Sequence, residues 1–245
     1  MTESKIYKVA PTDLTFGMNC PCCLRAKVVD GYRAPRQPFP SVFGGLDRLM
    51  SNAYGGRTVH DVFGKDSELP DGVLGTKQVS VKSAPVKLSE TISIVISGRL
   101  DCLVSHASTK VSVIDNKIGS SKTMGIYERQ LGAYSQALAL PAKGSPVEVV
   151  AIAMVCNMPG SSSQLHAGRW SGADKKTGNA EEGLYNNFSF REYIDWKPMD
   201  WDKWNAFLKE ELLPILENPQ KPSPDCVQCS HRELGKIRAQ NKKTQ

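Results

Sequence analysis

The chain has 245 residues, with 31 Lys+Arg against 25 Asp+Glu, a formal charge of +6, and 7 Cys. Its 40% hydrophobic and 23% charged fractions exclude a fibrous repeat and a wholly disordered chain. No run of about 18 apolar residues is present, so no membrane span is expected, and the charge is too mild to specify a polyanion partner by itself.

The N-terminal MTESKIYKVAPTDL has no apolar core of a signal peptide, so an intracellular, cytoplasmic protein is expected. Residues 1–40 read as irregular: a TDLTFGMNC segment, a CPCC turn, then RAPRQPFP, whose prolines oppose a helix. SVFGGLDRLMSNAY (41–54) places Val42, Leu46, Leu49 and Ala53 at helical spacing behind a Ser41 cap. Residues 55–89, rich in Gly and Pro, read as loops with one edge strand. TISIVISGRLDCLVS (91–105) alternates as a strand broken at Gly98, and KVSVIDNKIG (110–119) is a second strand.

GIYERQLGAYSQALAL (125–140) is an amphipathic helix with Tyr127, Leu131, Tyr134 and Leu138 on one side. VEVVAIAMVCN (147–157) is a continuous apolar run of strand length, hence a buried strand. The polar 158–183 segment reads as a long hairpin loop, on which Arg169 and Trp170 are candidates for touching a nucleic-acid strand. YNNFSFREYIDW (185–196) is a further strand and DWDKWNAFLKEELLPILEN (200–218) the last long helix, followed by a basic tail. Trp196, Trp201 and Trp204 are expected in packing rather than in base stacking. The whole pattern is that of one α/β domain over 1–245.

Five of the seven cysteines lie near the chain ends. CPCC at 20–23 and CVQC at 226–229 each contain a C-x-x-C, the spacing at which a tight turn offers two thiolates to one metal. Cys20, Cys23, Cys226 and Cys229 together make a four-thiolate set, enough for tetrahedral zinc or a [4Fe–4S] cluster. Such a site would fasten the two ends of the domain to each other, where a cross-link restrains the unfolded chain most. Cys22 lies between two candidate ligands, and Cys102 and Cys156 fall in apolar strand runs where cysteine acts as a small core residue.

Asp101 follows Gly98 in SGRLDC, and Asp115 and Lys117 end the next strand in VIDNKIG. Side chains alternate along a strand, so Asp115 and Lys117 share a face, and an antiparallel pairing would bring Asp101 beside them. Two carboxylates at one point repel unless a cation lies between them, and Mg²⁺ or Mn²⁺ suits hard oxygen ligands of this kind. On the following helix Gln130 and Tyr134 are one turn apart and share a face.

G-x-x-D, then D-x-K after an apolar strand, then Q-x-x-x-Y on a helix resembles the PD-(D/E)XK nuclease superfamily, in particular its RecB-like branch with the AddB nuclease domain and CRISPR-associated exonucleases. The resemblance implies a restriction-endonuclease-like core, a mixed central sheet flanked by helices, with the cysteine segments joining N- and C-terminal ends. It makes Asp101 and Asp115 metal ligands, Lys117 the catalytic lysine, and Gln130 and Tyr134 the supporting motif that contacts DNA. It also implies a [4Fe–4S] cluster held from both ends of the domain. The familiar arrangement there is one N-terminal and three C-terminal cysteines, whereas this chain has two and two, which leaves zinc open. Branch members carry a further metal ligand on an upstream helix, for which Asp47 is the nearest counterpart, with His60 and Glu90 behind it.

The expectation is therefore a Mg²⁺- or Mn²⁺-dependent DNA nuclease acting on single strands or duplex ends, in repair, recombination or defence, possible protein partners included. The competing expectation is a catalytically silent nucleic-acid-binding or scaffold protein on the same fold.

Overall fold

The computed structural model describes residues 4–32, 52–65, 67–106, 109–118, 123–159, 190–230 and 232. The 41–54 helix with Asp47, apart from its last three residues, and the 158–183 loop with Arg169 and Trp170, apart from Met158 and Pro159, which end a strand, lie outside them, as does the basic tail.

In chain order the elements are β1 (Lys5–Val9), α1 (Pro11–Phe16), α2 (Pro21–Val28), α3 (Val59–Phe63), β2 (Val73–Leu74), β3 (Val79–Lys82), β4 (Val86–Lys87), β5 (Ile92–Leu100), β6 (Cys102–Ser105), β7 (Lys110–Ile118), α4 (Tyr127–Ala139), β8 (Glu148–Pro159), β9 (Phe190–Pro198), α5 (Trp201–Ala206) and α6 (Leu213–Glu217). One sheet has the order β1-β5-β3, with β4 also on β5; the other runs β2-β6-β7-β8-β9. β1 lies parallel to β5 and β7 parallel to β8; the remaining pairs are antiparallel. α4 is the crossover that lets β7 and β8 run the same way.

The apolar runs explain the layers. Along β7, Val111 and Val113 face the core under α4, while Ile114 faces a second core on the other side of the sheet. β8 divides likewise: Val149, Ile152, Met154 and Cys156 against Ala151, Ala153 and Val155. That is why its sequence is apolar without alternation. Leu131, Ala133, Tyr134 and Ala137 bring α4 down onto the first core, and Gly132 admits Trp204, whose ring carbon Cε3 would lie 2.5 Å from an added Cβ.

Three expectations change. Residues 1–40 are not irregular in their described part: β1, α1 and α2 occupy it, and Pro11 and Pro21 begin helices, where a missing N–H costs nothing. Residues 55–89 hold α3, with Thr58 Oγ1 accepting the Asp61 N–H at 3.0 Å, and the short strands β2, β3 and β4. The 91–105 stretch is two strands in two sheets, and the corner is Asp101 rather than Gly98. Gly98 sits inside β5 because a Cβ there would come within 2.7 Å of Pro11 Cδ and 3.2 Å of Tyr134 Cε1. The last helix also carries a π-helical stretch, Phe207–Leu212, just before Pro214, where the wider turn makes room for the proline ring.

Candidate functional site

Pairing of Cys102 with Ile114 across β6 and β7 sets Asp101, one residue earlier, opposite the end of β7. There its Oδ2 accepts the backbone N–H of Asn116 at 3.0 Å, and its Oδ1 accepts from Gln78 Nε2 at 3.4 Å. Asp115 shares the face of Val111 and Val113, which carries it under α4, and it is buried. Lys117, two residues on, forms an ion pair with its Oδ2, and the Lys117 ammonium lies 4.9 Å from the centre of the Tyr127 ring.

From α4, Gln130 donates through Nε2 to Asp115 Oδ1 at 3.0 Å, and Tyr134 donates its hydroxyl hydrogen to the Arg99 carbonyl at 2.8 Å. Burial, and then the negative charge of Asp115, push the Tyr134 phenol well above its ordinary pKa, so it stays a neutral donor. The structure thus brings Asp101, Asp115, Lys117, Gln130 and Tyr134 to one place. His60 and Glu90 pair elsewhere, with Asp71 and Lys87. Two carboxylates with an ammonium beside one of them offer a hard, oxygen-rich set on which a divalent ion and a phosphate oxygen can meet.

Sequence patterns do not single out Gln78 or Thr15, whose Oγ1 lies 3.4 Å from Gln130 Oε1. Thr15 reaches the site from α1 and Gln78 from the residue just before β3, and the packing of the fold alone sets both.

The cysteine cluster is built from two helix starts. Cys20 caps α2 and Cys23 lies in its first turn; Cys226 immediately precedes a short helical turn that contains Cys229. The expected tight turns are therefore helix N-termini. Their four sulfur atoms lie within 4.8 Å of one another, with Cys20–Cys229 at 3.5 Å, Cys23–Cys226 at 3.6 Å and Cys23–Cys229 at 3.3 Å. The backbone N–H of Cys229 pulls the Cys226 thiol down to about 7, whereas burial pushes Cys23 and Cys229 up. Cys22 stands apart: its Sγ accepts from Arg232 Nη2 at 2.7 Å. Cys102 and Cys156 are buried core residues, and burial lifts the Cys102 thiol to about 11.

Among the described residues no helix is long and apolar enough to cross a membrane. A profile of the PD-(D/E)XK nuclease superfamily matches residues 57–234, most of the chain. A search of curated proteins finds no match. Among solved structures, the crystal structure of SSO0001 is similar with a TM-score of 0.43 at 14% identity, covering 88% of this chain and 78% of that one.

Proposed function

The chain belongs to the PD-(D/E)XK nuclease superfamily, and from that premise we propose that it is a Mg²⁺- or Mn²⁺-dependent DNA nuclease whose reaction centre is Asp101, Asp115 and Lys117. The observation that carries this is the meeting of both carboxylates and the lysine at the end of β7, with Gln130 holding Asp115. Asp101 and Asp115 would hold the divalent ion. When bound, that ion polarises a phosphoryl oxygen and acidifies water.

The protein's own groups do the rest. The Asn116 N–H fixes the Asp101 carboxylate, and Gln130 fixes that of Asp115. Lys117, confined by the Tyr127 ring, orients the attacking water and offsets charge that develops on the phosphoryl oxygens. A bond forms from the water oxygen to phosphorus, the bond to the leaving sugar oxygen breaks, and one proton passes from the water to the solvent while the leaving oxygen gains one.

The helix motif on α4 and the cysteine pairs at both ends support the RecB-like branch and, with it, exonuclease-like action on single strands or ends in repair, recombination or defence, with protein partners in such a complex. At the cysteines, sulfur separations of 3.3–3.6 Å in three pairs and within 4.8 Å in all favour one tetrahedral zinc ion, whose bonds of about 2.3 Å put thiolates about 3.8 Å apart. In a [4Fe–4S] cluster each thiolate binds its own iron and the sulfurs stand farther apart.

The test is cleavage of end-labelled single-stranded and duplex DNA with Mg²⁺, Mn²⁺ or EDTA, for wild type and Lys117→Ala. Cleavage that needs the ion and falls by at least about 100-fold in the variant is expected. Equal cleavage by both proteins overturns the assignment of Lys117, and salt-sensitive DNA binding without cleavage under either ion points to the silent binding protein instead.

A further inference from the structure

We propose that Thr15 is a positioning residue for the Asp115 carboxylate: its hydroxyl donates to the Oε1 end of the Gln130 amide, whose Nε2 end holds that carboxylate. The inference rests on the nuclease reading above, in which Asp115 is a ligand of the divalent ion.

Gln130 and Thr15 are both buried, at 3% and 0% exposure. The Gln130 amide has partners at both ends. Its Nε2 donates to Asp115 Oδ1 at 3.0 Å and lies 3.4 Å from the Tyr134 oxygen. That oxygen gives its own hydrogen to the Arg99 carbonyl at 2.8 Å, so toward Gln130 it accepts. The Oε1 end accepts from Thr15 Oγ1 at 3.4 Å.

A primary amide is nearly symmetric in shape, and only its hydrogen bonds distinguish the two ends. The carboxylate and the phenol oxygen call for a donor on one side, and Thr15 supplies the donor on the other. Without that hydroxyl, Oε1 becomes a buried acceptor with no donor, an arrangement that costs more than the bond itself is worth. The amide then relieves it by swinging away from the core, and its hold on Asp115 slackens. Groups that hydrogen-bond a metal ligand directly, as Gln130 does Asp115, are worth about 10- to 100-fold in metal affinity, and Thr15, acting through Gln130, falls at the low end of that range.

Thr15 also ties the N-terminal segment to α4. It lies on α1, five positions before Cys20, and α1 is tied to α2 by the ion pair of Asp13 with Lys27. The segment that carries the N-terminal cysteines therefore also places the hydroxyl that steadies the carboxylate.

The experiment uses the full chain with its cysteine-site metal retained, and compares wild type, Thr15→Val, Thr15→Ala and Thr15→Ser. Mn²⁺ affinity is read by electron paramagnetic resonance, cleavage is measured against Mn²⁺ concentration, and thermal unfolding is followed in parallel. Thr15→Val, which keeps the shape and loses the hydroxyl, is expected to weaken Mn²⁺ binding by about 10-fold and to shift the cleavage midpoint equally. Thr15→Ser should recover most of the affinity, and Thr15→Ala takes the place of Thr15→Val if valine prevents folding. A folded hydroxyl-less variant with wild-type Mn²⁺ affinity, altered only in melting temperature, overturns the proposal, as does a serine variant no better than valine. Wild type that binds Mn²⁺ yet cleaves no DNA defeats the nuclease reading while the affinity comparison still decides the role of Thr15. Wild type that binds no Mn²⁺ overturns both.

Discussion

Asp101 accepts the backbone N–H of Asn116, the residue standing between the acid and the lysine of the D-x-K run, at 3.0 Å. The carboxylate at the corner of one sheet is thereby held by the strand that carries the other carboxylate. This bond separates a structural from a chemical role. Asp101→Asn keeps an oxygen for the Asn116 N–H but loses the charge, so cleavage should fall by about 100-fold or more with the urea midpoint nearly unchanged. Asp101→Ala removes the acceptor too, and should lose about 1–2 kcal/mol of stability besides. An asparagine variant with wild-type cleavage would remove Asp101 from the reaction.

Gly98 should tolerate no side chain. An added Cβ would lie 2.7 Å from Pro11 Cδ and 3.2 Å from Tyr134 Cε1, so Gly98→Ala must push α1 or the Tyr134 ring away from β5. Overpacking of this kind costs about 1–3 kcal/mol, measurable by urea unfolding. Because Thr15 rides on α1 and Tyr134 meets Gln130, cleavage should drop as well. Unchanged stability would mean that α1 packs less tightly on β5 than these contacts imply.

What was legible in the sequence follows rules of short range. Strand alternation puts Asp115 and Lys117 on one face, and helical spacing puts Gln130 and Tyr134 together; both hold in the fold. The two C-x-x-C pairs were readable as a set because each pair is local, although the chain must fold to bring them within 4.8 Å. Gly98 was harder to read, since a glycine in a strand looks like a break when its cause, Pro11, lies far away in sequence. The first 40 residues hide short helices behind prolines that sit at helix starts. Thr15 and Gln78 have no local signature at all.

The cysteine cluster should act as a metal-dependent fastener. Burial holds Cys23 and Cys229 in the neutral thiol form, whereas a bound ion needs thiolates, so binding releases protons and weakens as pH falls. About one zinc per chain is expected at neutral pH, lost on acidification. Cys226→Ser should abolish it, and a loss of about 3 kcal/mol would lower the melting temperature by roughly 6–12 °C. Iron and sulfide in place of zinc, with a broad visible absorbance, would reverse the choice of metal. Full thermal stability of Cys226→Ser would show that the ends need no fastening.

Glu128 links three elements, since its carboxylate on α4 meets Lys203 of α5 at 2.9 Å and Lys197 of β9 at 2.5 Å. Burial raises its pKa, but the two ammonium groups outweigh that and leave it below the ordinary 4.5. A carboxyl depressed on folding contributes stability that is present above the unfolded value and lost as pH falls through the folded one. Glu128→Gln should therefore destabilise the protein by about 1 kcal/mol or less at pH 7, the scale of partly exposed pairs. The gap should begin to close near pH 4.5 and vanish once the wild-type carboxyl is protonated; added salt should narrow it at pH 7. Urea unfolding of both proteins at pH 7 and at stepwise lower pH reads this directly. A difference that stays constant through the acid range would trace the effect to packing of the side chain and not to its charge.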